Sequence, residues 1–187
     1  DSAEDEISNF VHLLYSFTNL LKSNNQSISD VENKIIQEKE REIRERNKVF
    51  LELFKPVFSK YENFLKDKEE IDFNDMINLA SSHINAKLYK SPYRYIIIDE
   101  FQDISIGRYY LIKSLLDSYP DSKLFCVGDD WQSIYRFTGS NLAIFTEFAN
   151  YFKSIPLENF SRATERQHIE TTYRFDNALI DLTSNFI

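Results

Sequence analysis

Two adjacent carboxylates, Asp99 and Glu100, directly follow the apolar run YIII at residues 95–98. An uninterrupted apolar run of this length predicts a strand that is buried on both faces, as in a parallel sheet. The two carboxylates would then lie just beyond the carboxyl end of the strand, where open α/β sheets bind their ligands. Taken alone, the pattern fits equally well a buried strand that ends in a solvated acidic turn.

A second junction of the same kind follows about 30 residues later, which is the spacing of one βαβ unit. The apolar run at 124–127 leads into the polar loop 128–137, which reads GDDWQSIYRF. Leucines recur at helical spacing between the two junctions, and Ser105 is the predicted N-cap of that helix. We therefore expect both polar loops to open on the same edge of one sheet and to converge on one crevice.

Three segments together resemble a known family. DEFQD at 99–103, GDDWQSIYRF at 128–137 and TTYRF at 171–175 resemble motifs II, III and IV of the superfamily 1A DNA helicases of the UvrD/Rep type. The segment IDFNDMI at 71–77 also resembles one that lies upstream of motif II in this family. The resemblance implies an α/β fold, namely a partial RecA-like P-loop NTPase motor domain with parallel strands, preceded by an all-helical subdomain.

The same resemblance divides the chain at residue 70. Residues 1–70 match the family only in being helical, and their position implies a helical subdomain like the 1B insertion. Residues 71–187 would form the partial RecA-like motor domain with motifs II, III and IV. The 187 residues contain no G-x-x-x-x-G-K-[ST] phosphate loop. We therefore expect the chain to be an internal segment of a larger helicase that is inactive by itself.

For ATP hydrolysis, the resemblance implies a role for five side chains. Asp99 would hold Mg²⁺, Glu100 would act as the general base on the attacking water, and Gln132 would sense the γ-phosphate. Tyr173 would stack on the adenine, and Arg174 would reach the γ-phosphate through a bidentate guanidinium. Two simpler interpretations stay open, namely a purely structural Gln132 and an exposed Tyr-Arg pair at a helix start.

The resemblance implies that the aromatic part of motif III binds single-stranded DNA. Tyr135 and Phe137 match positions that stack on bases, and Arg136 lies between them. Thr138 departs from the arginine that many relatives carry at its position. Trp131 fits either a stacking role or a place in the core.

Five other acids have alternative roles. With Gln102, Asp103 would couple motif II to motif III, although an N-cap role for the next helix is equally compatible with its position. Asp129 and Asp130 are expected to order their loop rather than to bind metal. Asp72 and Asp75 fit the N-cap and the N3 position of a helix.

The function that the resemblance implies is an ATP-dependent 3′→5′ DNA helicase and translocase. Its cofactors would be ATP and Mg²⁺, its partners single-stranded and duplex DNA, and its location the cytoplasm. A helicase–nuclease fusion subunit and a non-catalytic DNA- or protein-binding module are the alternatives. The single cysteine, Cys126, excludes a disulfide framework within the chain, and the net charge of −8 is unusual for a protein that binds DNA.

Local patterns predict further elements. Ser29 and Glu32 suggest a capping box at the start of one long helix, which Pro56 should kink or split. Ser140 or Asn141 should cap a helix after motif III, and residues 155–157 are a weak strand prediction.

Overall fold

Four helices occupy the first half of the chain in the computed structural model: α1 (Ser2–Ser23), α2 (Ile28–Gln37), α3 (Arg41–Lys68) and α4 (Phe73–Asn85). The prediction that residues 1–90 are almost wholly helical is confirmed. The structure describes residues 2–119, 121–134, 139–153, 156–157, 160–161, 164–169, 171 and 173. Along these residues, no helix combines the length and the apolar character needed to cross a bilayer.

The helix starts follow the capping chemistry of short polar side chains, although one start lies two residues earlier than predicted. Ser27, not Ser29, caps α2, and it forms a reciprocal capping box with Asp30. The Ser27 N–H donates to the Asp30 carboxylate at 2.7 Å, and the Asp30 N–H donates back to the Ser27 hydroxyl at 3.2 Å. The predicted capping box of Asp72 and Asp75 at the start of α4 is confirmed.

Helix α3 runs through Pro56 without a break, so of the predicted kink or split near Phe54 the split is wrong. Proline removes one backbone hydrogen bond of the helix. Packing on both sides of Pro56 holds the helix together, because the ring of the fully buried Phe54 stacks on that of Phe58 with centroids 5.3 Å apart. The chain instead breaks at residues 38–40, which separate α2 from α3.

Lys22 ties the helices to one another through an almost fully buried ammonium group. Its side chain is 7% exposed, and its Nζ lies 2.8 Å from Glu62, 2.6 Å from Asp72 and 2.7 Å from Asp75. Burial alone would lower the pKa of Lys22, but the hydrogen bonds to these carboxylates outweigh burial and hold it above its ordinary value. Lys22 therefore joins the end of α1 to α3 and to the start of α4.

The second half of the described chain contains a small parallel sheet. Strands β1 (Tyr95–Ile98) and β2 (Lys123–Cys126) pair in parallel, with Tyr95 opposite Lys123 and Ile98 opposite Cys126. Helix α5 (Ile106–Ser118) connects them, and Ser105 caps it as predicted, accepting a hydrogen bond from the Arg108 N–H at 3.4 Å. This arrangement confirms the predicted parallel strands with a helix between them.

Within the described part of the chain, only one face of this sheet is covered, so the prediction of strands buried on both faces is wrong. Tyr95 is 63% exposed, Ile97 74% and Phe125 63%. The alternate residues Ile98 and Cys126 pack against a core formed by five buried side chains, Phe101, Ile104, Ile112, Leu116 and Ile144. The reason is that the described helices pack on this face of the sheet alone. Burial on that face raises the pKa of the Cys126 thiol to about 12.

The region after motif III contains two short helices in place of the single predicted one, α6 (Leu142–Thr146) and α7 (Phe148–Tyr151). Asn141, one of the two predicted caps, accepts a hydrogen bond from the Ala143 N–H at 3.1 Å. The chain divides into two compact units, Asp1–Phe152 and Lys153–Ile187. In the second unit, β3 (Pro156–Leu157) and β4 (Phe160–Ser161) form an antiparallel pair, which confirms the weak strand prediction.

Replacing Lys22 by Met should destabilise the 187-residue chain by about 3–5 kcal/mol at pH 7, because it leaves three carboxylates without their shared cation. The pKa of Asp72 lies below its ordinary 3.8: burial opposes this shift, and the hydrogen bond from Lys22 outweighs burial. The stabilisation is therefore complete above about pH 4 and is lost as the pH falls further. Urea unfolding at pH 7 and pH 3 measures both effects, and the two proteins should converge in acid.

The matched control is Lys113→Met. Lys113 pairs with Asp117 at 3.0 Å, but both side chains are nearly half exposed. Such surface pairs contribute at most about 1 kcal/mol. Equal losses in the two variants would show that Lys22 does not hold the helices together.

Candidate functional site

The two polar loops lie side by side because backbone hydrogen bonds continue the sheet beyond the ends of its strands. The Val127 N–H donates to the Ile98 carbonyl at 3.0 Å, and the Phe101 N–H donates to the Val127 carbonyl at 2.9 Å. Both loops therefore leave the same edge of the sheet, as the sequence predicted.

The carboxylates of Asp99 and Glu100 both lie exposed at this edge. Glu100 adopts the left-handed backbone conformation, with φ 51° and ψ 43°. This conformation is unfavourable for a residue with a side chain, and such strain concentrates at functional sites. The Asp99 Oδ1 accepts a hydrogen bond from the Glu100 N–H at 2.9 Å, which fixes the orientation of the aspartate.

Gln102 joins the two loops through its side-chain amide. The side chain is 2% exposed. Its Nε2 donates to the Glu100 Oε2 at 2.8 Å, and its Oε1 accepts from the Asp129 N–H at 3.1 Å. A carboxylate can only accept and a backbone N–H can only donate, so these partners determine the orientation of the amide. Gln102 therefore makes the coupling contact between motif II and motif III that was expected of it.

Gly128 is a further residue of the site, and its importance was not predicted from the sequence. A Cβ atom at this position would lie 2.5 Å from the Gln102 Oε1 and 3.0 Å from the Phe101 N. The backbones of the two loops approach so closely that no larger residue fits without a shift. Its only signal in the sequence was a glycine placed directly at a strand-to-loop junction.

The motif III loop turns immediately after Gly128 into a 3₁₀ turn, Asp130–Gln132. Asp129 caps this turn, since its Oδ1 accepts from the Trp131 N–H at 3.1 Å. Its Oδ2 accepts from the Nε2 of the exposed Gln132 at 2.7 Å. The expectation that Asp129 orders the loop is confirmed. Glu100, Gln102, Asp129 and Gln132 thus form one continuous chain of hydrogen bonds.

Two alternatives left open by the sequence are decided by the structure. Trp131 is 74% exposed, so its placement in the core is wrong, because the 3₁₀ turn directs it to solvent. Asp103 does not cap α5, because Ser105 occupies that position. The Asp103 Oδ1 is buried, and within the described part of the chain it has no hydrogen-bond partner.

The other predicted site residues fall into two groups. Tyr173 belongs to the second unit and is 97% exposed. Tyr135, Arg136, Phe137 and Arg174 lie outside the residues that the structure describes.

The donor set at the sheet edge fits a magnesium ion that arrives with a nucleotide. No group of three or more His, Cys, Asp or Glu side chains converges as a metal site within the described residues. Mg²⁺ commonly takes one or two carboxylates from a protein and its other ligands from water and phosphate. The exposed Asp99 carboxylate meets that requirement.

Comparison with known proteins decides the family. Residues 3–153 match the family described as the UvrD/REP helicase N-terminal domain. The chain belongs to the UvrD/Rep helicase family. Its helix-rich fold with a small parallel sheet is consistent with that domain.

UvrD/Rep helicases from several bacteria resemble this chain along part of their length. The chain is 35% identical to DNA helicase IV of Escherichia coli over 146 residues, which cover 78% of the chain and 20% of that protein. It is 38% identical to the putative ATP-dependent DNA helicase YjcD of Bacillus subtilis over 102 residues, 50% of the chain and 13% of the relative. Against ATP-dependent DNA helicase UvrD1 of Mycobacterium tuberculosis the identity is 29% over 122 residues, 58% of the chain and 16% of the relative. The chain thus spans about a fifth or less of these proteins.

The close approach of the motif II and motif III loops at Gly128 leads to a prediction about the stability of the chain. Gly128→Ala should cost about 1–3 kcal/mol, the usual range for overpacking, because the added methyl group meets both Gln102 and the Phe101 backbone. Adding Gln102→Ala should relieve only part of this clash, since the backbone neighbours stay in place. Urea unfolding of the single and double variants measures the coupling, and full stability of Gly128→Ala would contradict the observed loop packing.

Proposed function

We propose that the complete protein is an ATP-dependent DNA helicase that moves 3′→5′ along single-stranded DNA and unwinds duplex DNA. The observation that carries this proposal is the hydrogen-bonded pairing of motifs II and III at one sheet edge, in a chain of the UvrD/Rep family. Exposed carboxylates on one loop and an exposed amide on the other are groups that can hold Mg²⁺ and orient the attacking water in phosphoryl transfer.

In this proposal each residue at the sheet edge has its own role in ATP hydrolysis. Asp99 holds Mg²⁺, which when bound neutralises charge on the β- and γ-phosphates. Glu100 accepts a proton from the attacking water at its carboxylate, while Gln102 holds the second oxygen of that carboxylate by a 2.8 Å hydrogen bond. Gln132 is neutral and exposed, so it can contact a γ-phosphate without retaining ADP through charge.

We further propose that the aromatic half of motif III binds single-stranded DNA. Tyr135 and Phe137 would stack on bases, with Arg136 between them. The exposed Trp131 in the preceding turn supports this proposal, because it shows that the loop already presents an aromatic ring to solvent. Tyr173 and Arg174 would complete the nucleotide site, as adenine platform and γ-phosphate ligand.

The domain assignment is part of the same proposal. Residues 1–70 would correspond to the 1B-like helical insertion and residues 71–187 to part of a RecA-like motor domain. The parallel pairing of β1 with β2 and the crossover helix α5 support the second assignment. A cytoplasmic location is also part of this proposal.

Glu100→Gln should lower the ATPase kcat of the complete protein by a factor of about 10² or more, the contribution of a general base. Nucleotide affinity should survive, because the substitution retains an oxygen that can accept the hydrogen bond from Gln102. Steady-state ATPase assays and Kd measurements with a non-hydrolysable ATP analogue test both expectations. The control, Glu70→Gln, removes an exposed acid elsewhere in the chain and should change neither quantity.

The 187-residue chain alone should show no ATP turnover, since it contains no phosphate loop.

Near-normal turnover by Glu100→Gln in the complete protein would overturn the general-base assignment.

Tyr135→Ala and Phe137→Ala should each weaken single-stranded DNA binding by the complete protein by about 1–3 kcal/mol, the scale of base stacking. The slope of affinity against salt concentration should stay constant, because no phosphate contact is lost. Fluorescence anisotropy at several salt concentrations measures both, with Tyr15→Ala as the matched control at an aromatic that is 67% exposed on α1. Lower melting temperatures with unchanged DNA affinity would instead place both rings in the core.

A further inference from the structure

Helix α4 carries a polar stripe along one of its faces. The stripe has the spacing i, i+3, i+4 and i+7, and it consists of Asn78, Ser81, Ser82 and Asn85. A surface helix usually turns its polar side to bulk water. Here the stripe borders another helix, because the buried Ser81 hydroxyl is hydrogen-bonded to the Ser114 hydroxyl of α5 at 2.9 Å.

This stripe is one wall of an open cleft of about 500 Å³. Ile106 and Tyr110 of α5 form the second wall, and residues 24–26 in the turn between α1 and α2 form the third. The volume lies in the range of sites for small organic groups, about 300–1,000 Å³. We call this site the amide cleft, because Asn and Gln side chains come from two of its three walls.

The polar side chains that line the amide cleft are all neutral amides and hydroxyls. The side chains of Asn25, Gln26 and Asn85 make no hydrogen bond within the described residues. Each of these amides offers both donors and an acceptor. Phosphate and carboxylate groups are bound most strongly by Arg and Lys, and neither lines this cleft. The lining therefore fits a neutral group that carries donors and acceptors together.

The amide cleft adjoins the segment that leaves motif III. A Cβ atom added at Gly139 would lie 3.6 Å from the Nδ2 of Asn24, which lines the cleft. In the sequence, Gly139 follows by two residues Phe137, for which we propose stacking on a base. The cleft is thus placed where the proposed path of single-stranded DNA continues beyond motif III.

We propose that the amide cleft holds an unpaired base of this single-stranded DNA. A nucleobase is flat and neutral, and its edge carries the donors and acceptors that Asn and Gln side chains pair with. The ring of Tyr110 is 44% exposed and offers a surface on which the base can stack. In duplex DNA the pairing edge is occupied, so the cleft selects single strands. This inference rests on the proposed binding of single-stranded DNA.

The double variant Gln26→Ala/Asn85→Ala of the complete protein tests the amide cleft. Both amides lack hydrogen bonds in the described structure, so the melting temperature should stay unchanged. Affinity for a short single strand of mixed sequence should fall about fivefold or more, the value of two hydrogen bonds. The slope of affinity against salt concentration should stay constant, because no charge is removed. Fluorescence anisotropy measures both quantities.

The matched control is Asn33→Ala/Gln37→Ala. It removes the same two side-chain types from exposed positions on α2 that do not line the cleft. DNA affinity should stay unchanged in this control. An equal loss in the two double variants would overturn the proposal.

A single abasic site moved stepwise along the strand identifies the base in the cleft. One abasic position should weaken binding to the unmodified protein and have no effect on binding to Gln26→Ala/Asn85→Ala. That position should differ from those that become insensitive in Tyr135→Ala and Phe137→Ala. The same profile of sensitive positions in the unmodified protein and in Gln26→Ala/Asn85→Ala would overturn the proposal.

The cleft and the proposed role of motif III fail differently. If Tyr135→Ala weakens DNA binding and Gln26→Ala/Asn85→Ala does not, motif III keeps its role and the cleft holds no base. Its amides would then fit a peptide backbone, which carries the same donors and acceptors. If Tyr135→Ala and Phe137→Ala leave DNA affinity unchanged, the proposed role of motif III fails, while a loss in Gln26→Ala/Asn85→Ala still supports the cleft.

Discussion

A buried amide, that of Gln102, links the two loops on which the candidate site is built. It is 2% exposed, and it binds a carboxylate of one loop and a backbone N–H of the other. A buried polar group is costly unless it is hydrogen-bonded, so the Gln102 amide is stable only while both loops keep their positions. The close approach at Gly128 follows from the same contact, because the two backbones must come near enough for one side chain to reach both.

The helical half of the chain supports the sheet edge that carries these two loops, through contacts made at the end of α1. Lys22 binds carboxylates from α3 and from the start of α4. Its neighbour Ser23 lies against two glycines, Gly107 on α5 and Gly139 after motif III, where an added Cβ would come within 3.0 Å or less of Ser23 atoms. Gly139 also has a φ of 96°, a conformation that favours glycine. The end of α1 is thus packed against both α5 and the segment that leaves motif III.

Local patterns predicted much of this fold, and contacts between distant residues account for what they missed. The caps at Asp72 and Ser105 and the two parallel strands depend on nearby residues, so the sequence was sufficient to place them. The exposed face of β1 could not be predicted, because an apolar run does not reveal how many of its faces are covered. The sequence predicted Glu100 and Gln132 at the same edge of the sheet. It did not predict the hydrogen bonds that connect them, because these pass through Asp129, which lies 27 residues from Gln102.

Hydrogen exchange at the Asp129 amide tests the central contact most directly. Asp129 lies in a loop, yet its N–H donates to the buried Gln102 Oε1, so we expect this amide to exchange slowly in the folded chain. Gln102→Ala should accelerate exchange at Asp129 while the Val127 amide, which donates to the Ile98 carbonyl, stays protected. Fast exchange at Asp129 in the unmodified protein, or protection that survives Gln102→Ala, would contradict the claim that this amide joins the two loops.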